Sequence, residues 1–308
     1  MSSQEKPRQL ATVPAATGPF ATLSLAAAPT GKQLLFACTR TVYMTFVGWI
    51  CATIVGCSSD SNNLTPGEPI AFQAQTVTFF GSSSLNPQAH LNFQSRDFSS
   101  FQKLNSLPPG RSDVAVVVFQ GRIWMAGGKD GSQLVQTAVF CSDDGVVWQK
   151  QSDLPSARSG GQLIGFKDTL FYIGGRDSGG LEADTIFQSR DGKSWAAAGK
   201  ISQARTDLRA TIFQDRLFLA GGSPLTDEVW VSDDGINYSL HSHLPQALSA
   251  GLLLATANQL IFAGGATNAN SVATVYAISS QQSTNWTAIG SLPEARSFSA
   301  GFVRQNKY

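Results

Sequence analysis

Four arginines recur along the chain at nearly constant spacing: Arg111, Arg158, Arg205 and, after a position taken by Leu248, Arg296. Two residues after Arg111 and Arg205 come Asp113 and Asp207. A guanidinium is a planar fork of donors that suits a carboxylate or neighbouring hydroxyls, and two carboxylates can share acid/base work. A fold that brings these repeats to one axis would make a polar pocket for a carboxylate- or hydroxyl-bearing ligand such as a sugar. The same arginines suit an architectural task equally well, tying each repeat to the next through carbonyls or carboxylates. Alternation along a strand would put each aspartate on the same side as its arginine. The loop acids Asp177 and Glu182 complete the candidates for an acid/base pair.

Other reactive residue types exclude more than they offer. His90, His241 and His243 are the three histidines, and without a Cys/His cluster they make no metal site. His241 and His243 read as a solvated loop pair. The Asp-Gly phrases lack the bidentate glutamate of a calcium loop, and neither a spaced Ser/His/Asp set nor a Gly-x-Ser-x-Gly elbow is present. No cofactor is expected. With 22 basic and 21 acidic side chains and no basic run, nucleic acid is excluded as a partner.

The elements that must position the arginines are legible in a wider repeat. Paired glycines stand at Gly127-Gly128, Gly174-Gly175, Gly221-Gly222 and Gly264-Gly265, in steps of 47, 47 and 43 residues. A Ser-x-Asp-Gly phrase follows at Ser142, Ser189 and Ser232, and an aromatic closes each unit at Trp148, Trp195, Tyr238 and Trp286. Leu-Pro-x-Ala-Arg then leads to the next unit at Leu154 and Leu292, in altered form at Ile201 and Leu244. Inside a unit, short β-branched and aromatic runs alternate with turn chemistry. Val114 to Phe119, Ile123 to Ala126, Leu134 to Cys141 and a segment around Trp148 read as four strands, with Gln120-Gly121 and Asp144-Gly145 as hairpin turns. A period in the forties with four strands per unit predicts an all-β fold, a β-propeller with one blade per unit. The periodic aromatics then read as packing between blades, and Cys141 as a buried, inert thiol.

Thr76 to Phe101 carries the second half of a unit, with Gly81 to Phe101 spanning the same 20 residues as Gly128 to Trp148. Arg296 to Tyr308 carries only a first strand and its turn. Joined, the two fragments predict a fifth blade, in which Phe298 to Val303 pairs with Gln75 to Phe80 and leaves no open edge. The alternative is a longer ring cut short within a blade.

The glycine doublet, the outer-strand aromatics and the Pro-x-x-Arg phrase together resemble the kelch-repeat family, over roughly Gln75 to Tyr308. The Ser-x-Asp-Gly-x-x-Trp phrase also looks like the Asp-box turn of sialidase propellers, one residue shorter. The resemblance implies a kelch-like propeller akin to the central domain of galactose oxidase. It does not extend to that enzyme's copper site, which needs a Cys-linked Tyr, because Cys141 occupies a repeat position. Kelch rings also include enzymes of the sialate-mutarotase type, which need an acid/base pair near the axis.

The N-terminal 70 residues point to export. Residues 1–31 are rich in Ala, Thr, Ser and Pro without an apolar period and read as a disordered extension. Residues 32–56 read as a signal peptide: Lys32 and Arg40 precede an uncharged apolar stretch of 14 residues from Val42 to Val55. Ile54-Val55-Gly56-Cys57 resembles the lipobox of bacterial lipoproteins, which implies lipidation at Cys57. Residues 57–70 then form a polar tether, and residues 71–308 the propeller. The sequence therefore predicts a binding protein held at the membrane of the cell envelope by a lipid anchor, with a carbohydrate or protein partner. A carbohydrate-active enzyme and a purely structural scaffold are the alternatives.

Overall fold

Hairpin chemistry dominates the chain. The computed structural model describes residues 111–145 and 147–298 in full and five earlier segments as backbone strands, and every regular element among them is a strand. The earlier segments are β1 (Val42–Phe46), β2 (Ile50–Val55), β3 (Thr76–Ser83), β4 (Asn86–Ser95) and β5 (Gln102–Leu104), which form one antiparallel sheet in that order. Four four-stranded sheets follow as propeller blades, each with its strands in chain order. Blade 1 comprises β6 (Ala115–Phe119), β7 (Arg122–Ala126), β8 (Ala138–Ser142) and β9 (Gln149–Asp153). Blade 2 comprises β10 (Gln162–Phe166), β11 (Thr169–Ile173), β12 (Thr185–Ser189) and β13 (Ala196–Lys200). In blade 3 these are β14 (Arg209–Phe213), β15 (Arg216–Ala220), β16 (Thr226–Ser232) and β17 (Ser239–Leu248), and in blade 4 β18 (Leu252–Ala255), β19 (Leu260–Ala263), β20 (Thr274–Ile278) and β21 (Thr287–Ser291).

Three sequence expectations change here. The side of β3 assigned to Phe298 to Val303 is held by β2, with Ile50 opposite Gly81 and Val55 opposite Thr76. Complete four-stranded blades among the described residues number four and not five, which fits the shortened-ring alternative. Residues 299–308, like the extension 1–31 and the tether 57–70, lie outside the described residues. The third strand of blade 1 also begins at Ala138, because Leu134 to Thr137 remain in the loop before it.

The glycine doublets are explained by contact between blades. The second glycine of each donates its N–H to the carbonyl that opens the next blade: Gly128 to Arg158 at 2.8 Å, Gly175 to Arg205 at 2.9 Å, Gly222 to Leu248 at 3.0 Å and Gly265 to Arg296 at 2.7 Å. Both glycines of each pair have φ between 63° and 124°, a region that side chains disfavour. The doublet is therefore a clasp made by backbone alone, which is why Leu248 can replace arginine without breaking the repeat.

Between clasps, alternate faces of each blade meet the neighbouring blades. Phe119 and Trp124 of blade 1 pack with Leu163 and Tyr172 of blade 2, Phe171 of blade 2 with Leu217 of blade 3, and Phe218 of blade 3 with Phe262 of blade 4. Three of the four periodic aromatics pack between blades as predicted, whereas Trp148 packs against its own blade. Trp195 packs on the first of these clusters, Tyr238 on the second and Trp286 within the third, while Trp148 covers Ile123 and Met125. Cys141 is fully buried in the same packing, and burial pushes its thiol pKa up.

The Ser-x-Asp-Gly phrase is not the primed turn its composition suggests, since only its glycine has positive φ. The serine hydroxyl instead accepts the glycine N–H at 2.8 Å in blades 1 and 3, and the aspartate accepts backbone N–H groups further on. In blade 2, Asp191 accepts the N–H groups of Ser194 and Lys193, and these bonds hold its pKa down at about 2 against an ordinary 3.8. Asp234 is held down likewise by the amides of Asn237 and Ile236, which outweigh burial. A depressed carboxylate stabilises the fold above its unfolded pKa and loses that contribution as pH falls through the folded value. Melting temperature should therefore drop between about pH 4 and pH 2, and Asp191→Asn should flatten that drop; an unchanged acid limb in the variant would contradict the assignment.

Candidate functional site

The blade-opening segments converge on the propeller axis through a second hydrogen-bonded device. Asp113, Gly160, Asp207, Ala250 and Phe298 occupy equivalent repeat positions, and all bend left-handed with φ between 50° and 65°. Gly160 donates its N–H to Asp113 at 2.9 Å, Asp207 to Gly160 at 3.0 Å, Ala250 to Asp207 at 3.1 Å and Phe298 to Ala250 at 2.6 Å. This chain of amides runs from blade to blade at the face where the inner strands begin. The bend leaves Asp113 and Asp207 outside the regular strands, which begin at Ala115 and Arg209, so strand alternation does not set the side they take.

The loops from second to third strands rise around the same face. Lys129 and Arg176, each following a glycine doublet, bridge back to Ser112 and Ser159 in the blade-opening segments. Lys129 Nζ lies 2.9 Å from Asp113 Oδ2, and Arg176 Nη2 lies 3.1 Å from Glu182 Oε1. Asp177, the other loop acid, is occupied locally: its Oδ1 accepts the N–H groups of Gly179 and Leu181 at 2.8 and 3.0 Å. Asp130 caps the equivalent loop of blade 1 in the same way. At the loop tips Leu134 and Leu181 are exposed to 62 % and 67 %.

Asp207 and Arg209 form the inner part of this mouth. Burial raises the Asp207 pKa, opposed by attraction to Arg209 and reinforced by repulsion from Asp113. Burial lowers the Arg209 pKa, opposed by Asp207. Arg209 is partly exposed. Its Nε donates to the Gly251 carbonyl of blade 4 at 2.6 Å, while Nη2 is buried without a partner. The Asp207 carboxylate accepts no hydrogen bond from the described residues.

The four repeated arginines are placed differently. Arg111 donates Nη1 to the Gly127 carbonyl at 3.2 Å and lies over the Phe140 ring, and burial lowers its pKa. Arg158 is buried over the Phe187 ring, 5.2 Å from its centroid. Arg205 is buried as well, with Nη2 2.9 Å from Glu228 Oε2; burial pushes Glu228 up, but hydrogen bonds from Arg205 and Trp230 outweigh it and leave its pKa lowered. Arg296 is half exposed and paired with Glu294 at 2.7 Å. Each guanidinium thus has an anchoring partner within the blades, and Asp113 and Asp207 are the two sequence candidates that the axis brings together.

Sequence reasoning missed Lys129, Arg176 and Arg209. The first two were visible as cations directly after a doublet, where the other blades carry Ser223 and Ala266. Arg209 was visible as the charged residue at an inner-strand position that is Ala115, Gln162 and Leu252 elsewhere. The histidines are not a loop pair: both lie on β17, His241 between Ser242 Oγ and the Gln281 carbonyl and His243 beside Asp227 at 3.0 Å. Among the described residues no cluster of His, Cys, Asp and Glu suits a metal ion.

Comparison with protein-family models and with curated proteins finds no match for this chain. Among solved structures it is similar to the one described as "Structure of YjhT", at 15 % identity and a TM-score of 0.60, over 72 % of this chain and 83 % of that one. The likeness is one of fold, and it agrees with the β-propeller arrangement of the four blades.

Proposed function

We propose that this chain is an exported, lipid-anchored, kelch-like propeller that binds a carbohydrate or protein partner of the cell envelope at the mouth of its axis. The observation that carries the reading is the gathering of Asp113, Lys129, Arg176, Asp207 and Arg209 at one end of a ring whose blades are otherwise held by apolar packing. Charged groups placed where loops from several blades meet are the usual dress of a binding face. The test is a glycan array and a pull-down with the full chain, repeated with Lys129→Ala and Asp207→Asn. Capture should weaken roughly tenfold or more in each variant, as expected for charge-assisted hydrogen bonds. Capture unaffected by both variants would place the function elsewhere.

Anchoring is tested separately. Cys57→Ala should move the protein from the membrane fraction to the soluble one, because acyl chains contribute about 0.8 kcal/mol per buried methylene and stable anchoring needs more than one of them. Unchanged fractionation, or an intact mass that retains residues before Cys57, would refute lipidation.

One observation favours a second reading, a carbohydrate-active enzyme of the sialate-mutarotase type. Asp207 has a raised pKa beside a second carboxylate, Asp113, and groups whose pKa values are pushed apart are suited to act as acid and base. Turnover of a reducing sugar that is lost in Asp207→Asn while binding persists would select the enzyme.

A further inference from the structure

Two apolar side chains at the mouth are held out by a backbone that the fold fixes. Leu134 and Leu181 take the same repeat position on neighbouring blades, and among the described residues they are the exposed large hydrophobics that recur in this way. Leu134 donates its N–H to Asp130 Oδ1 at 3.0 Å, and its carbonyl accepts the Asp130 N–H at 3.0 Å. Leu181 makes the same two bonds with Asp177, at 3.0 and 2.9 Å. The residue before each leucine is left-handed, Gln133 with φ of 64° and Gly180 with φ of 81°, and a glutamine adopts that region only where its surroundings hold it there. A tip already ordered in this way loses little further freedom on contact, so its apolar area counts more fully toward binding.

The other blades do not repeat the device. In blade 4 the capped tip ends in Asn270, whose N–H donates to Thr267 Oγ1, and in blade 3 the loop passes from Ser223 into β16 at Thr226. The leucines therefore mark the side of the mouth built by blades 1 and 2. Neither tip carries an aromatic ring on which a sugar could stack. The cations beside them are engaged, Lys129 by Asp113 and Arg176 by Glu182. Asp130 and Asp177 accept hydrogen bonds from uncharged groups of their own loops, and the half-buried Arg111 attracts Asp130 while lying over the Phe140 ring. The tips thus keep an acidic character, which disfavours a second copy of the same face or an anionic membrane surface and favours a basic partner.

We infer that the loop tips of blades 1 and 2 dock a polypeptide segment of a partner protein in which aliphatic side chains stand beside lysine or arginine. Leu134 and Leu181 meet the aliphatic groups, and Asp130 and Asp177 meet the cations. Exposed apolar groups next to charge are the composition of a protein contact, with the apolar part supplying affinity and the charge supplying selection. The inference rests on the binding reading above and narrows it to a basic protein partner.

The experiment is fluorescence anisotropy on the full chain with three labelled peptides: alternating leucine and lysine, alternating serine and lysine, and alternating leucine and glutamate. The leucine–lysine peptide should bind, and each of the others should bind about tenfold or more weakly. Leu134→Ser and Leu181→Ser should each weaken the leucine–lysine peptide about tenfold and leave melting temperature unchanged, since both side chains are exposed. Leu240→Ser is the control for unspecific apolar contact, because Leu240 is 46 % exposed but lies on the outer strand β17. An equal loss in Leu240→Ser, full affinity in the Leu134→Ser/Leu181→Ser double variant, or tighter binding of the glutamate peptide would overturn the inference. If none of the peptides binds while the chain still captures a glycan or protein through Lys129, this inference falls and the broader binding reading stands.

Discussion

Gly174→Ala should destabilise the propeller by about 3 kcal/mol, combining a left-handed backbone cost of roughly 1–2 kcal/mol with an overpacking cost of similar size. A Cβ at this position would lie 2.6 Å from the Arg205 carbonyl oxygen and 2.9 Å from Leu208 Cδ2. The carbonyl is backbone and is already fixed by the Gly175 N–H at 2.9 Å, so it cannot give way without opening the clasp between blades 2 and 3. The residue also has φ of 66°, which alanine adopts only with strain. For a domain of this size, melting temperature should fall by roughly 6–12 °C. Gly180→Ala is the control, because Gly180 has φ of 81° but nothing within 4 Å of the added carbon. Equal effects at the two sites would show that backbone strain alone, and not the clasp, is what glycine provides.

Trp286→Ala should cost about 3–5 kcal/mol, the range for deleting a buried large aromatic. Trp286 is 8 % exposed in the cluster that joins blade 3 to blade 4, and its Nε1 donates to Ser242 Oγ at 3.0 Å. Ser242 in turn contacts His241, whose other ring nitrogen meets the Gln281 carbonyl. Truncation therefore opens a cavity and loosens a polar link that crosses the same interface. Trp148→Ala should cost less, since that ring is only half buried. Chemical denaturation of both variants checks the ordering, and a reversed order would assign the repeated aromatic a task other than packing.

Much of this architecture was legible because the repeat makes each blade test the others. The doublets predicted the second-strand ends, Gln120-Gly121 predicted the first hairpin, and the spacing of Trp195, Tyr238 and Trp286 predicted their packing. The misreadings came from places where local conformation departs from the regular strand. Strand alternation does not apply at Asp113 and Asp207, because both lie outside the regular strands with left-handed φ. The Asp-Gly pair misleads at Asp144-Gly145 because backbone N–H groups donating to the side chains of Ser142 and Asp144, which composition does not reveal, close the turn. In the uncleaved chain the partner of β3 differs from the expectation because completeness of a repeat does not specify which distant segment fills an edge. Arg209 escaped notice because a single departure from the repeat carries no period, which is also why such departures are where function is to be sought.

The central claim, that binding occurs at the axis mouth, is tested most directly by hydrogen exchange on the full chain with and without its captured glycan or protein. The loop amides of Ser132, Leu134, Gly179 and Leu181, held by Asp130 and Asp177, surround that mouth. The account predicts that ligand slows exchange in residues 129–136 and 176–183 and leaves the turns at 142–148, 189–195 and 232–238 unchanged. Protection confined to those turns, with the loops unaffected, would contradict it.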